Sequence, residues 1–412
     1  MDTLALSFPN SYNPNSMNSL LEGERPWIAG RVLTVDPDGR VLVDGVAPAA
    51  GDGVALALAA SVVDKLAGDA VERPIAVDQS NTSVIVGDRL VVKLVGRWAA
   101  ADRAGRLLER LAAVGSDDVA RLHGRVEWRH PRLGTSTLAI VTEYLPGAED
   151  GWTWAVDDVV AVLGGAADPE WPALLGARTA HIHDVLGADA TPAGTDATGR
   201  RLARAAGALR LALAAAEGPV GTRVRNRRAS LERDIRSIGA TVPGLEFPIH
   251  GDLHVGQVLA APGDGDDGEA GRSRRYTIID FDGDPQLSPD ERERPDAGAR
   301  DVAHLLVSLD LVAAVAQKRV GRVDTRAFAW ADRARAELLD AYLAALVRRE
   351  LFDARLLPGF EAEQLVAELH YADRFLPGWR YAPDAAITFR HASSNDHPEE
   401  PWTLPPFAPT SS

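Results

Sequence analysis

His250-Gly251-Asp252-Leu253-His254-Val255-Gly256-Gln257 and, past a polar loop, Thr277-Ile278-Ile279-Asp280-Phe281-Asp282-Gly283-Asp284 are the stretches around which the chain is organised. Each is an acid-bearing turn beside a short apolar run. The intervening loop, residues 261–271, is dense in Gly, Pro and Asp, so strand-like runs at 255–260 and 276–280 are expected to pair as a hairpin. Such a hairpin would bring Gln257 and Asp280 to one open end, where hard oxygen ligands suit Mg²⁺. A carboxylate that takes the proton of an attacking hydroxyl, followed by an amide and a second carboxylate that hold metal on nucleotide phosphates, is what phosphoryl transfer requires. Asp252, Gln257 and Asp280 fill those roles in order. Either Asp alone would read as an ordinary turn residue; the ordered combination carries the argument.

Working outward, residues 77–95 read as two strands about a Gly87-Asp88 turn. No G-x-G-x-x-G precedes the first of these strands, and the chain has no Walker lysine signature. The polar run Gln79, Ser80, Asn81, Thr82 and Ser83 would stand in for a phosphate loop. Lys93 sits among Val91, Val92, Leu94 and Val95, where an unpartnered charge is expensive to bury. It is expected to clamp a nucleotide phosphate, with Asp102 or Glu109 on the following helix, residues 98–113, as its acidic partner. Glu143-Tyr144-Leu145 ends a strand before Pro146-Gly147 and reads as a hinge whose backbone can meet an adenine edge.

These residues resemble the aminoglycoside phosphotransferase-type kinases, in particular their maltokinase-like branch and, more nearly, the actinobacterial glucosamine kinases. The resemblance rests on H-G-D-L-H-x-G-Q, I-I-D-F-D-G-D-P, Gln79 to Ser83, Lys93, Glu143 to Leu145 and the run from Arg294 to Ala303, over about three quarters of the chain. It implies a two-lobed, protein-kinase-like α+β fold. The expected divisions are an N-terminal cap over residues 1–75, a nucleotide-binding lobe over 76–145, a mostly helical catalytic and acceptor lobe over 146–395, and a tail over 396–412. It also implies ATP and Mg²⁺ as cofactors and a small amino sugar as acceptor, glucosamine first, phosphorylated at its 6-hydroxyl. Asp282, Asp284, Asp296, Asp301, His304, Tyr371 and Trp379 are the candidate acceptor contacts, with Asp252 reaching the sugar hydroxyl. Short carboxylates suit an ammonium group through charge-assisted hydrogen bonds, although the acids near residue 300 can also be explained as helix capping. Maltose, an aminoglycoside, and a nucleotide-binding role without transfer are the alternatives.

Composition narrows the field further. The 412 residues are 46% hydrophobic and 25% charged, in the range of globular proteins, with no cysteine. Disulfides and thiolate chemistry are thereby excluded. A net charge of −15 opposes broad binding of nucleic acid. Arg223 to Arg228 are basic, but acids follow within a turn or two, as on a solvated helix face. No apolar run is long enough to span a bilayer and the start lacks a signal-peptide pattern. A soluble, cytoplasmic monomer or weak homo-oligomer is expected. Trp27 is expected to anchor the core of the cap. His181 and His183 lie two apart, so not on one helix face, and His250 is read as a residue that holds its turn. His391, with Asp396 and His397, reads as part of a loose surface tail.

Overall fold

Gly87 (φ 57°) and Asp88 (φ 52°) both adopt left-handed backbone, the geometry that turns a two-residue hairpin in register with the twist of its strands. They join β6 (Thr82–Val86) to β7 (Leu90–Leu94), paired so that Val84 faces Val92 and Ser83 faces Lys93. The structure is a computed structural model that describes residues 18–75, 82–98, 102–240, 244–263 and 274–392. The chain divides into two units, one of Met1–Ala148 with Ala261–Phe281, the other of Glu149–Ala260 with Asp282–Ser412.

In the first unit the hairpin belongs to a six-stranded sheet of order β1-β8-β9-β7-β6-β5, with β1 (Asn18–Glu22), β5 (Glu72–Pro74), β8 (Leu122–His130) and β9 (Gly134–Glu143). β1 runs parallel to β8 and every other pairing is antiparallel. Leu90, Val92 and Leu94 alternate inward along β7, as a strand with one apolar face requires. A small sheet of β2 (Trp27–Ile28), β3 (Arg31–Val35) and β4 (Val41–Val43), with α1 (Val54–Ala60), closes over that face. Leu33, Val41 and Leu58 share one core with Val84, Val92, Trp128 and Leu138, so this segment packs on the six-stranded sheet. Each such Leu or Val contributes roughly 1.5–3 kcal/mol on burial. Trp27 is 70% exposed, contrary to expectation; Trp128, fully buried, is the anchor. α2 (Arg103–Ala113) starts later than expected, at the cap Asp102, whose side chain accepts from Gly105 N.

The second unit is mostly helical: α3 (Gly151–Leu163), α4 (Trp171–Leu186), α5 (Ala197–Ala215), α6 (Gly218–Gly239), α7 (Pro289–Glu293), α8 (Ala299–Val320), α9 (Thr325–Ala345), α10 (Leu357–Phe375) and α11 (Tyr381–Arg390). Asp150 caps α3, accepting from Trp152 N and Thr153 N. α8 is buried along nearly its whole length and packs against α3, α9, α10 and α11. α4 and α9 approach so closely that a Cβ on Gly176 would lie 2.1 Å from the Leu338 carbonyl oxygen. Thr191–Pro192 and Leu245–Glu246 form a two-stranded antiparallel sheet. Val258–Pro262, which begins three residues later than expected because 255–257 form a 3-10 turn, and Arg274–Ile278 of the first unit are the strands read between the two motifs.

The basic stretch of α6 is not simply a solvated face. Arg223 pairs with Asp384 and Arg227 is buried, while Arg228 lies outside against Glu232. His391 is also buried, at the end of α11, with Nδ1 3.1 Å from Ser230 Oγ. It closes the helical unit instead of starting a loose tail. Among the described residues no helix is long and apolar enough to cross a membrane.

Candidate active site

β7 carries Lys93 opposite Ser83 on one side and Ile140 on the other. Its ammonium lies 2.7 Å from Asp280 Oδ1, within the first unit. The expected acidic partners are engaged elsewhere, because Arg125 draws both Asp102 and Glu109 to itself. Asp280 follows the strand ending at Ile278, which bridges to Val119, and its backbone is left-handed at φ 64°, a conformation that Asp tolerates better than most residues. The buried Phe281 holds the next position. A hard, partly exposed carboxylate is the kind of oxygen ligand that would suit Mg²⁺.

Gln79, Ser80 and Asn81 lie outside the described residues. Thr82 and Ser83 belong to β6, and the Thr82 hydroxyl donates to Pro48 O at 3.2 Å. At the hinge, Glu143 Oε1 accepts from Arg121 N at 3.0 Å and from Arg275 Nη2 at 2.6 Å. Burial pushes that carboxyl up, but these donors outweigh it and hold the group below the usual range. Tyr144 N donates to Arg89 O at 2.8 Å, Leu145 is buried, and Gly147 turns the chain at φ 69°.

In the second unit the H-G-D turn is held from behind. Gly251 is left-handed at φ 87°. The backbone N–H groups of His250 and Gly251 donate to Asp301 Oδ2 and Oδ1 at 2.6 and 2.8 Å, and Asp252 N lies 3.4 Å from Nδ1 of the buried His250. His250 thus serves its turn as expected. Val255 N donates to Ser308 Oγ at 3.1 Å, and Gln257 N donates to His254 O at 2.9 Å. α3 presses on the same loop: a Cβ at Gly151 would lie 1.7 Å from Val255 O, and one at Gly256 would lie 2.4 Å from Trp152 Nε1. Trp152 stacks on His254 at 5.8 Å, and Trp379 meets Trp152 edge-on at 5.0 Å. Trp379 therefore stands beside the loop that carries Asp252, joined to it through Trp152, which sequence reasoning missed.

Two of the acids read as acceptor contacts are used internally. Asp301 is fully buried with its oxygens occupied by the turn and by His183 Nε2 at 3.2 Å. Burial pushes its carboxyl up, but the His183 hydrogen bond and the turn's N–H groups outweigh this and bring it to about 2. Asp296 is buried among guanidinium groups, 2.6 Å from Arg201 and 3.2 Å from Arg204, and their charge overcomes burial to hold it far below the usual range. Both carboxylates thus have partners within the protein, Asp301 in the turn and Asp296 among arginines. The other short acids are differently placed. Asp282 is half-buried; Asp284 is buried, accepts from Gln286 N at 2.8 Å and lies 3.5 Å from Arg300. Burial raises the Asp284 carboxyl, only partly offset by Arg300.

Glu368 on α10 was not anticipated. Burial and the charge of Asp284 push its carboxyl up to about 7, against a single side-chain bond from Gln364. It lies one helical turn before Tyr371, on the same face, and that spacing was the available signal. His304 is buried on α8 one turn after Arg300, with no hydrogen-bond partner at Nδ1; burial and the Arg300 charge hold it neutral. Tyr371 is half-buried with its ring against Phe375. Among the described residues no three His, Cys, Asp or Glu side chains gather as a metal cluster; the expected ligand pair is one amide and one carboxylate.

Residues 71–269 match the phosphotransferase enzyme family. The chain is 38% identical to a glucosamine kinase of Streptacidiphilus jiangxiensis over 339 residues, covering 77% of this chain and 73% of that one. It is 37% identical to a glucosamine kinase of Mycolicibacterium smegmatis, covering 77% and 78%. Among solved structures, a glucosamine kinase in complex with glucosamine, ADP and inorganic phosphate superposes with a TM-score of 0.75 at 32% identity, over 87% of this chain and 91% of that one. A second crystal form of a glucosamine kinase gives 0.75 at 33% identity over 88% and 91%. With sequence identity and fold agreeing over most of its length, the chain belongs to the aminoglycoside-phosphotransferase-type phosphotransferase enzyme family, in the group of the glucosamine kinases.

Proposed function

We propose that this protein transfers the γ-phosphoryl group of ATP to the 6-hydroxyl of glucosamine, with Mg²⁺. The observation that carries the transfer chemistry is the ion pair between Lys93 and Asp280, a phosphate clamp and a hard oxygen ligand held together in one unit. Gln257 and Asp280 would hold the metal, which when bound neutralises charge on the bridging phosphate oxygens. Asp252 accepts the proton of the sugar hydroxyl as the oxygen attacks, and its immobilised turn keeps it aimed without reorganisation. Gln79 to Ser83 would donate to phosphate oxygens and Glu143 to Leu145 would border the adenine. In this reading residues 1–75 are a cap, residues 76–145 bind nucleotide and residues 146–395 bind the acceptor.

For the acceptor, Asp284 and Glu368 are acids raised by burial with incomplete counter-charge. An ammonium group would relieve that penalty, and a neutral sugar would leave it in place. Asp282, His304, Tyr371 and Trp379 would complete the pocket. ADP release measured with glucosamine, glucose, N-acetylglucosamine, maltose and kanamycin tests the assignment. The expected result is the highest kcat/KM for glucosamine, with phosphorus on its 6-oxygen by NMR; a preference for maltose or kanamycin would reject it.

A further inference from the structure

The end of β9 is held by side chains as well as by the sheet. Glu143 N donates to Arg121 O at 2.9 Å and Tyr144 N to Arg89 O at 2.8 Å, so these two hinge N–H groups belong to the ladder. Among the described residues the Leu145 N–H has no partner, which leaves it for a base edge. Arg121 N, which a continuing ladder would pair with the Glu143 carbonyl, donates instead to the Glu143 side chain, Oε1 at 3.0 Å. From the strand Arg274–Ile278, Arg275 grips the same carboxylate with both arms of its guanidinium, Nη2 2.6 Å from Oε1 and Nη1 3.4 Å from Oε2. All of these residues lie in the first unit.

A guanidinium and a carboxylate joined by two bonds fix each other's plane, which a single bond does not do. Glu143 is the last residue of β9, and Pro146 and Gly147 end regular structure just beyond the hinge. Without the fork, the main chain of 143–145 would be tethered on its strand side alone and could twist. A twist matters to a base edge. Adenine offers a donor, its amino group, beside an acceptor ring nitrogen, and guanine reverses the two with an acceptor oxygen beside a ring N–H. A backbone carbonyl and N–H that cannot turn pair with the first pattern and leave the second with unpaired polar groups. The strand that supplies Arg275 also leads to Asp280: Ile278 N donates to Asp118 O at 2.9 Å, and Ile278 bridges to Val119, two residues before Arg121. The fork therefore ties the hinge and the strand before Asp280 to one frame.

We propose that Arg275 is a positioning residue that determines nucleotide specificity: through Glu143 it fixes the main chain of 143–145 in the orientation that pairs with adenine, and so selects ATP over GTP. The inference rests on the hinge bordering the adenine, as in the proposed function. Loss of the fork weakens binding of the nucleotide in the ground state and the transition state alike, so it is read in KM and not in kcat.

The test compares wild type with Arg275→Met, Arg275→Lys and Glu143→Gln, by steady-state kinetics with ATP and with GTP at saturating glucosamine and by thermal unfolding. Arg275→Met keeps most of the side-chain stem and removes the fork. It should raise KM for ATP and lower the ratio of kcat/KM for ATP over GTP, each on the order of tenfold, while kcat with ATP stays within about twofold. Arg275→Lys, which keeps the charge as a single point donor, should recover part of the ratio. Combining Arg275→Met with Glu143→Gln should lower the ratio no further than Arg275→Met alone, since both break one interaction. Wild type is also assayed with an ATP analogue that carries C–H in place of the acceptor ring nitrogen. If that analogue matches ATP in KM, the hinge does not read the base edge, and the inference falls with that reading. If the analogue is poorer while Arg275→Met keeps both KM and the ratio, the hinge stands and the role of Arg275 is overturned. A loss confined to Tm or kcat, with the ratio kept, also overturns it, because that is what a merely structural pair would give. If Arg275→Met does not fold, Arg275→Lys and Glu143→Gln decide on the same ratio.

Discussion

Lys93 and Asp280, 187 positions apart in the chain, meet as an ion pair of 2.7 Å with the lysine side chain 22% and the aspartate side chain 38% exposed. At that exposure the pair contributes at most about 1 kcal/mol to stability. In the proposed function its value lies in holding together two groups that would be directed at phosphate. Asp280→Ala should therefore unfold within a few degrees of wild type and yet lose Mg-dependent nucleotide binding. An unchanged calorimetric titration of Mg-ATP would count against Asp280 as a metal ligand.

Asp252→Asn keeps the size of the side chain and removes its basicity. Turnover should fall roughly 10²- to 10⁴-fold, the usual effect of losing a general base, with Mg-ATP affinity largely kept because the group acts on the acceptor hydroxyl. Near wild-type turnover would remove Asp252 from the mechanism.

Asp301→Ala strands two buried backbone N–H groups, at about 1–3 kcal/mol each. Chemical denaturation should report a loss of several kcal/mol. The pH dependence has a definite sign. The folded carboxyl, at about 2, lies below its ordinary value of about 3.9, so its contribution is complete above pH ~4 and is lost as pH falls through about 2. Urea titrations between those limits should steepen for wild type relative to Asp301→Asn; identical curves would show that Asp301 is not linked to acid unfolding.

Glu368 has the opposite sign. Its folded carboxyl, at about 7, lies above the unfolded value of about 4.3, so the free protein loses stability as pH rises between those values. Glu368→Gln should flatten that slope in thermal scans and reduce the ratio of kcat/KM for glucosamine over glucose, on the order of tenfold, because a neutral amide cannot repay an ammonium with charge. A variant that keeps the full ratio would take Glu368 out of acceptor recognition.

Gly176→Ala tests the packing of α4 on α9. The added Cβ would meet the Leu338 carbonyl at 2.1 Å, and backbone on both sides leaves only helix displacement as relief. A loss of about 1–3 kcal/mol is expected, read as a lower urea midpoint with an unchanged slope.

The family and the α+β class were legible in the sequence, because each depends on local signals. These are turn residues beside short apolar runs and a Gly87-Asp88 hairpin, determined within a few residues of chain. Tertiary structure alone decided which charges meet. Lys93 took Asp280 because Arg125 had already drawn in Asp102 and Glu109, and Asp296 and Asp301 turned inward toward arginines and backbone N–H groups. Glu368 became distinctive only where burial set it near Asp284. Trp27, apolar enough for any core, was left outside because Trp128 already filled that space. Spacing along a chain limits which partners a side chain can reach locally, but desolvation and close packing choose among the distant ones.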